Sequence, residues 1–279
     1  MCTGVGRITM PLRKDIVMSK ESVQKQASLW GARAEDWAEV QERLVRPLFE
    51  AVAERCEVHA GMRVLDVGCG AGGFVQLATS RGATTTGMDA TPELLAIARR
   101  RTPAARFDQS DLESLPYDDA SFDLVTGFNS FQYAADPVQG LREARRVVKK
   151  GGRVVIATWG KPEDCEGAAY LAALKPLLPP PPPGAGGPFA LSDEAALRAI
   201  VENAGLRSGA VVDVSCPWEY PDLSVALRGL LSSGPVVLAI RTSGEEKVRA
   251  ATTEAIAPFR TSDGGYRIEN KFRYLVAER

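Results

Sequence analysis

The stretch Val64-Leu65-Asp66-Val67-Gly68-Cys69-Gly70-Ala71-Gly72-Gly73 constrains this chain more than any other. Residues of apolar bias and strand propensity run straight into a glycine-rich turn, and Phe74, Val75, Leu77 and Ala78 then carry helical spacing. A strand, a tight turn and a helix follow. Glycine is needed because the turn requires backbone angles closed to other residues, and because a ligand can reach the main chain with no Cβ in its way. The amides that open the helix would face that ligand and favour a carboxylate or phosphate. Alone, Gly68-x-Gly70-x-x-Gly73 also fits a dinucleotide loop. Asp66 sharpens the reading, since an acid at the strand end can fix the turn and hold an ammonium group. That suits an amino-acid ligand better than a pyrophosphate.

Asp-x-Gly-x-Gly after an apolar strand resembles motif I of the class I S-adenosylmethionine-dependent methyltransferases, in particular the small-molecule branch of methyltransferase type 11, or UbiE-like, enzymes. The likeness runs from about Gly61 to Gly152. It implies an α/β fold with a Rossmann-like seven-stranded sheet, mostly parallel with the last strand antiparallel, and helices on both faces. S-adenosyl-L-methionine would be the cofactor and S-adenosyl-L-homocysteine its product. The order of elements agrees, because strands alternate with helices and the candidate ligand residues fall just after strands.

The 279 residues suffice for one large α/β domain with an elaboration. Residues 1–18 carry Arg7, Arg13 and Lys14 but no apolar core of a signal peptide, and are expected to be disordered. A helical cap is expected over 19–60, the cofactor domain over 61–221 and 265–279, and a helical lid or acceptor insertion over 222–264. Lys and Arg number 34 against 35 Asp and Glu, so no electrostatic footprint for nucleic acid shows. No apolar run is long enough to span a bilayer, and no membrane partner is expected. The five cysteines (Cys2, Cys56, Cys69, Cys165, Cys216) never form a C-x-x-C pair. That spacing argues for reduced thiols in a cytoplasm and against a metal site or a disulfide framework.

In the cap region Leu29, Trp30, Ala34, Trp37, Val40, Leu44, Leu48 and Val52 recur at helical spacing, with Pro47 as a break or kink. The resemblance places cofactor-contacting aromatics there, which Trp30 and Trp37 match; ordinary helix packing explains them equally well. Asp89 ends a β-rich run, 21 positions after Gly68, where an acid can accept both ribose hydroxyls. Thr91 and Pro92 already supply the cap and first position of the next helix, which favours a ligand role for Asp89. The Arg99-Arg100-Arg101 end complements that helix's dipole and reads as solvated.

The resemblance carries adenine recognition onto Asp111 and Leu112, with Met88 either on the ring's other face or in the core. Asp66, Gly68, Cys69 and Gly70 complete the cofactor set, with Phe128 and Asn129 at the end of the fourth strand. Acceptors meet the methyl group there in the family, where many relatives carry a His pair and this chain has Gln132-Tyr133. Gln132 and Tyr133 are therefore the candidates for positioning the acceptor, with Asn129 and Trp159 as further substrate contacts. Trp159 could instead pack beneath the next loop. Asn129 and Gln132 can orient an acceptor but cannot take a proton at neutral pH. His59, the only histidine, precedes the first strand and so belongs at the opposite sheet end from the ligand crevice. Arg142, Arg145 and Arg146 read as a solvated helix face.

The run Pro179 to Pro183 is a stiff spacer. Ser192 is expected to cap the helix that follows, and Pro235 to Ile240 suits either a pocket wall or packing in a homodimer. These features favour a methyltransferase with a small-molecule acceptor, with secondary metabolism as its setting, working by orientation. The alternative is a protein of the same fold that binds the cofactor without methylating. RNA or protein methylation comes next, and a dehydrogenase last.

Overall fold

The computed structural model describes residues 14–180 and 187–279. Of the tail expected at 1–18, residues 1–13 lie outside the described residues and 14–18 open the first helix; the proline spacer falls partly outside them too. The chain begins with α1 (Lys14–Gly31), the short α2 (Ala34–Asp36), a π-helical segment Trp37–Gln41, a 3-10 turn Glu42–Val45, and α3 (Arg46–Arg55). Pro47 lies in the first turn of α3, where its missing N–H costs nothing, so it starts a helix and does not kink one.

Alternation follows: β1 (Arg63–Val67), α4 (Gly73–Ser80), β2 (Thr84–Asp89), α5 (Pro92–Arg101), β3 (Arg106–Gln109), β4 (Phe122–Phe128), α6 (Pro137–Val147), β5 (Val148–Trp159). After α7 (Ala168–Leu174) and α8 (Glu194–Asn203) come β6 (Arg207–Ser215) and β7 (Trp218–Tyr220). Then α9 (Leu223–Leu230), α10 (Gly234–Ser243) and α11 (Glu245–Ile256) precede β8 (Tyr266–Ile268) and β9 (Lys271–Glu278). Seven strands form one sheet in the order β3-β2-β1-β4-β5-β9-β6. The last strand, β9, runs antiparallel to both neighbours.

The central strands read as near-continuous apolar runs because both faces are covered. Successive side chains point to opposite faces. Val64, Leu124 and Val155 accordingly pack with Phe49, Val52 and Phe74 of α3 and α4. Their neighbours Leu65, Val125 and Ile156 pack with Leu141, Ala144, Leu197 and Val201 of α6 and α8. Strand order reverses between β1 and β4, which opens a crevice at the carboxyl ends of these strands.

The helices α9 to α11 are braced against the N-terminal cap. Arg228 bonds Asp36 at 2.6 Å and Glu39 at 2.5 Å, Arg33 bonds Glu245 at 2.7 Å, and the Trp30 ring lies on Gly234. Val236 and Ala239, within the stretch read as wall or dimer face, are fully buried in this chain's own core.

Several local expectations are corrected. Asp193, not Ser192, caps α8, accepting the Ala196 amide at 2.8 Å. The antiparallel pairing of β7 with β8, across the sequence of α9 to α11, carries no sequence signal, because strands this short have no periodicity. Arg145 and Arg146 are not a merely solvated face: Arg145 donates to the Gly205 carbonyl, and Arg146 ties Glu143 and Asp119 to the carbonyls of Leu115 and Tyr117.

A methyl group added at Gly234 would lie 2.7 Å from Trp30 Nε1. Gly234→Ala should therefore destabilise the chain by about 1–3 kcal/mol, measured by urea unfolding followed through tryptophan fluorescence.

Candidate active site

The turn after β1 takes up backbone angles that require glycine: Gly68 has φ +73°, and a Cβ there would lie 2.4 Å from Ser130 Cβ. Its amides, however, do not wait for a ligand. Gly68 and Cys69 donate to the Met88 carbonyl, Gly72 to the Cys69 carbonyl, and Gly70 to Asp89 Oδ2 at 2.9 Å. Ala71 donates to Glu42 Oε1 at 2.8 Å, and the Gly73 amide bonds the same carboxylate. The opening of α4, expected to receive a ligand's carboxylate or phosphate, is thus already occupied by an acid of the protein itself.

Glu42 is buried, and its other oxygen accepts from Arg101 Nη1 at 2.7 Å. Arg101 also donates to the carbonyls of Ala38 and Ala71. Arg100 pairs with Glu35 at 2.6 Å, and Arg99 donates to the Phe107 carbonyl. The triplet read as a solvated helix end therefore fastens the cap to the sheet domain. Neither Glu42 nor its partnership with Arg101 carries a local signal, since 59 residues separate them.

Acids converge on the loop. Burial pushes the Glu42 carboxyl up to about 7 against the pull of Arg101. Burial likewise raises Asp66 to about 7, opposed by the Thr126 hydroxyl that donates to its Oδ1 at 2.7 Å and reinforced by Glu42 and Asp89. Asp89 is raised by burial too, opposed by backbone amides that include Gly70 and Thr91. Its Oδ1 accepts the Thr91 amide at 2.8 Å, fixing the turn that leads into α5, while Thr91 at the N-cap makes no side-chain cap hydrogen bond.

Beside these acids lies a mostly apolar cleft of about 860 Å³, part of it open to solvent. Trp30 and Trp37 meet edge to face at 4.9 Å, and Tyr133 stands 5.7 Å from Trp30, so the cap and the segment after β4 face each other across it. Gly68, Gly70, Met88, Asp89, Asp111, Leu112, Phe128 and Asn129 also line the cleft, as the sequence reading expects of cofactor contacts. Met88 belongs to the core as well.

Four expected residues do not line it. Asp66 sits beneath the loop on Thr126, and Cys69 packs with Phe107. Gln132 is buried behind Asn129, whose Oδ1 accepts its Nε2 at 3.0 Å. Trp159 packs among Phe189, Trp218 and Phe272, so its aromatic surface is spent on the core. Sequence reasoning missed Glu113 and Ser130, both cleft residues. His59 lies at the opposite sheet end with Lys149, Lys150 and Arg153.

Among the described residues no cluster of three or more His, Cys, Asp or Glu could hold a metal ion, and no single helix is long and apolar enough to cross a membrane.

Residues 65–156 match the methyltransferase domain family model. The chain is 31% identical, over 77% of its length and 78% of the relative's, to a malonyl-acyl-carrier-protein O-methyltransferase of Erwinia pyrifoliae. It is 37% identical to a demethylmenaquinone methyltransferase of Deinococcus radiodurans over 46% of its length and 56% of the relative's. Other curated relatives are spanned to 44% and 35% of their length. Among solved structures, the YcgJ protein of Bacillus subtilis superposes with a TM-score of 0.57 at 23% identity, covering 83% of this chain and 97% of that one.

A carboxyl raised by burial binds its proton in the folded chain up to about pH 7 and releases it near pH 4 when unfolded. Its contribution to stability is complete below the unfolded value and is lost as pH rises through 7. Between about pH 5 and about pH 8, ligand-free wild type should therefore lose more than about 1 kcal/mol relative to Asp66→Asn, measured by urea unfolding at each pH.

Proposed function

The chain belongs to the class I S-adenosylmethionine-dependent methyltransferases, and from that premise we propose that it methylates a small-molecule acceptor held between its N-terminal cap and the ends of β1, β2 and β4. The observation that carries this reading is the bonding of the glycine loop. With the amides from Gly68 to Gly73 bonded within the protein and Glu42 seated at the start of α4, a pyrophosphate would meet a carboxylate where it needs donors. Acids pushed upward by burial are relieved by a cation. An amino-acid ammonium group and a sulfonium are such cations, so the residues present fit S-adenosylmethionine.

In this reading Asp89 accepts the ribose hydroxyls, Asp111 takes the exocyclic amine of adenine, and Leu112 and Met88 pack on the ring. Gly68 and Gly70 let the ligand approach the backbone. Trp30, Trp37 and Phe128 close the cleft against water. The cap over 19–60, the sheet domain over 61–221 and 265–279, and the insertion over 222–264 act as cover, platform and brace.

When bound, S-adenosylmethionine supplies a methyl group already activated by its sulfonium. What remains for the protein is to hold an acceptor lone pair in line, and orientation of this kind lowers barriers by about 7–11 kcal/mol. No strong base is needed. Tyr133, whose phenol is driven above its usual range by burial and by nearby Tyr170, stays protonated and serves as a hydrogen-bond donor. Asn129 and Ser130 are neutral at all ordinary pH. The apolar cleft and the relative named for demethylmenaquinone support a small acceptor over RNA.

Calorimetric titration with S-adenosylmethionine, S-adenosylhomocysteine and NAD tests the reading. The adenosyl ligands should bind with micromolar affinity and NAD should not, while Asp89→Ala should weaken both adenosyl ligands at least about tenfold. Tighter binding of NAD than of either adenosyl ligand would sink the proposal.

A further inference from the structure

Asn129 follows β4 in a left-handed conformation with φ 51°, held there by its amide bond to the Ala157 carbonyl at 2.8 Å. Gln132, one 3-10 turn further on, points its Nε2 at Asn129 Oδ1. This orientation leaves Gln132 Oε1 buried without a partner. The reverse orientation would strand an NH₂ group instead, and an unmet buried donor is rarer and costlier than an under-satisfied carbonyl. With Oδ1 occupied from behind, Asn129 has only its Nδ2 protons to offer the cleft it lines, and among the described residues no group takes them.

Resting on the methyl-transfer reading, we propose that the acceptor is a carboxylate on an apolar skeleton, held through one oxygen by the Nδ2 protons of Asn129, with Gln132 as the residue that positions them. The distribution of charge across the cleft supports this class. The acids that line it are Asp89, which ends β2, and Asp111 and Glu113, which follow β3. The cleft residues after β4 are uncharged, and Ser130 Oγ there is buried with no partner among the described residues. One side is thus built for cations and hydroxyls, the other for a group that accepts hydrogen bonds.

The chemistry points the same way. Asn129, Ser130 and Tyr133, the polar groups on this side, take no proton at neutral pH, so an acceptor that arrives ionised suits it, and a carboxylate of pKa about 4 does so. It also has two oxygens, so one can accept from Asn129 while the other keeps its lone pair for attack. In the transfer that pair forms the C–O bond to the methyl carbon, the C–S bond breaks with its electrons going to sulfur, and no proton moves. The products are a methyl ester and a neutral thioether.

The test uses the full chain saturated with S-adenosylhomocysteine, titrated with phenylbutyrate, phenylbutylamine and phenylbutanol, three probes of one skeleton. The carboxylate should bind at least about tenfold more tightly than the others. Gln132→Glu, whose carboxylate would accept from Nδ2 and turn Oδ1 into the cleft, should remove that preference. Asn129→Asp, which tolerates the same backbone angles, should remove it independently. Gln132 does not line the cleft, so Gln132→Glu should keep the wild-type affinity for S-adenosylhomocysteine, which also reports that it is folded; Asn129→Asp is titrated at saturating S-adenosylhomocysteine and its fold is checked by circular dichroism. Equal binding of the three probes, binding of none at millimolar concentration, or a preference unchanged in Asn129→Asp would overturn the inference. Failure of the wild type to bind either adenosyl ligand would instead overturn the function beneath it.

Discussion

The seat of Glu42 at the start of α4 is the contact on which the rest of the site depends. A helix N-terminus presents unpaired amides and a partial positive charge, and here a carboxylate from the N-terminal cap meets both. Arg101, at the end of the next helix, closes the arrangement from the other side. Two helix termini and the glycine loop are thereby tied to one buried acid. The cap is not an accessory laid over a finished cleft, because without it the amides of Ala71 and Gly73 would face solvent or a ligand.

This geometry accounts for the irregular backbone that delivers Glu42. Between α2 and α3 the chain passes through a π-helical segment and a 3-10 turn. A wide turn followed by a tight one rotates side chains off the regular helical stripe. Trp37 then approaches Gly70 while Glu42 reaches Ala71, five residues on. A continuous helix would have put these two on different faces.

What the sequence shows of the protein follows from the range of the physics involved. The alternation of strands and helices and several cleft-lining positions were legible because strand alternation, glycine turns and acids at strand ends are local signals. Gly68, Asp111 and Asn129 stand just after a strand and Asp89 ends one, and each lines the cleft. The partners of Glu42, the burial of Trp159 and the placement of Gln132 behind Asn129 were not legible. Each depends on residues brought together by the tertiary fold: 59 positions separate Glu42 from Arg101, and Trp159 and Phe272 meet only when β9 inserts beside β5. The helix-amide reading failed for the same reason. The amides are where the motif says, but a competitor from elsewhere in the chain had taken them.

The acids around the loop also give the site a direction. Asp66 and Glu42 resist ionising because burial strips their carboxylates of water, and a positive ligand is the cheapest remedy the site can admit. By linkage, a ligand that favours the ionised acids displaces their protons, and one that lacks the charge does so less. Transfer of the methyl group converts the first kind of ligand into the second within the same walls. The ionised carboxyls are then left with less compensation than before, and regain it by taking up protons or by releasing what is bound. In this account the chain needs no separate device to tell substrate from product, because the discrimination resides in the burial of side chains that never touch the reacting atoms.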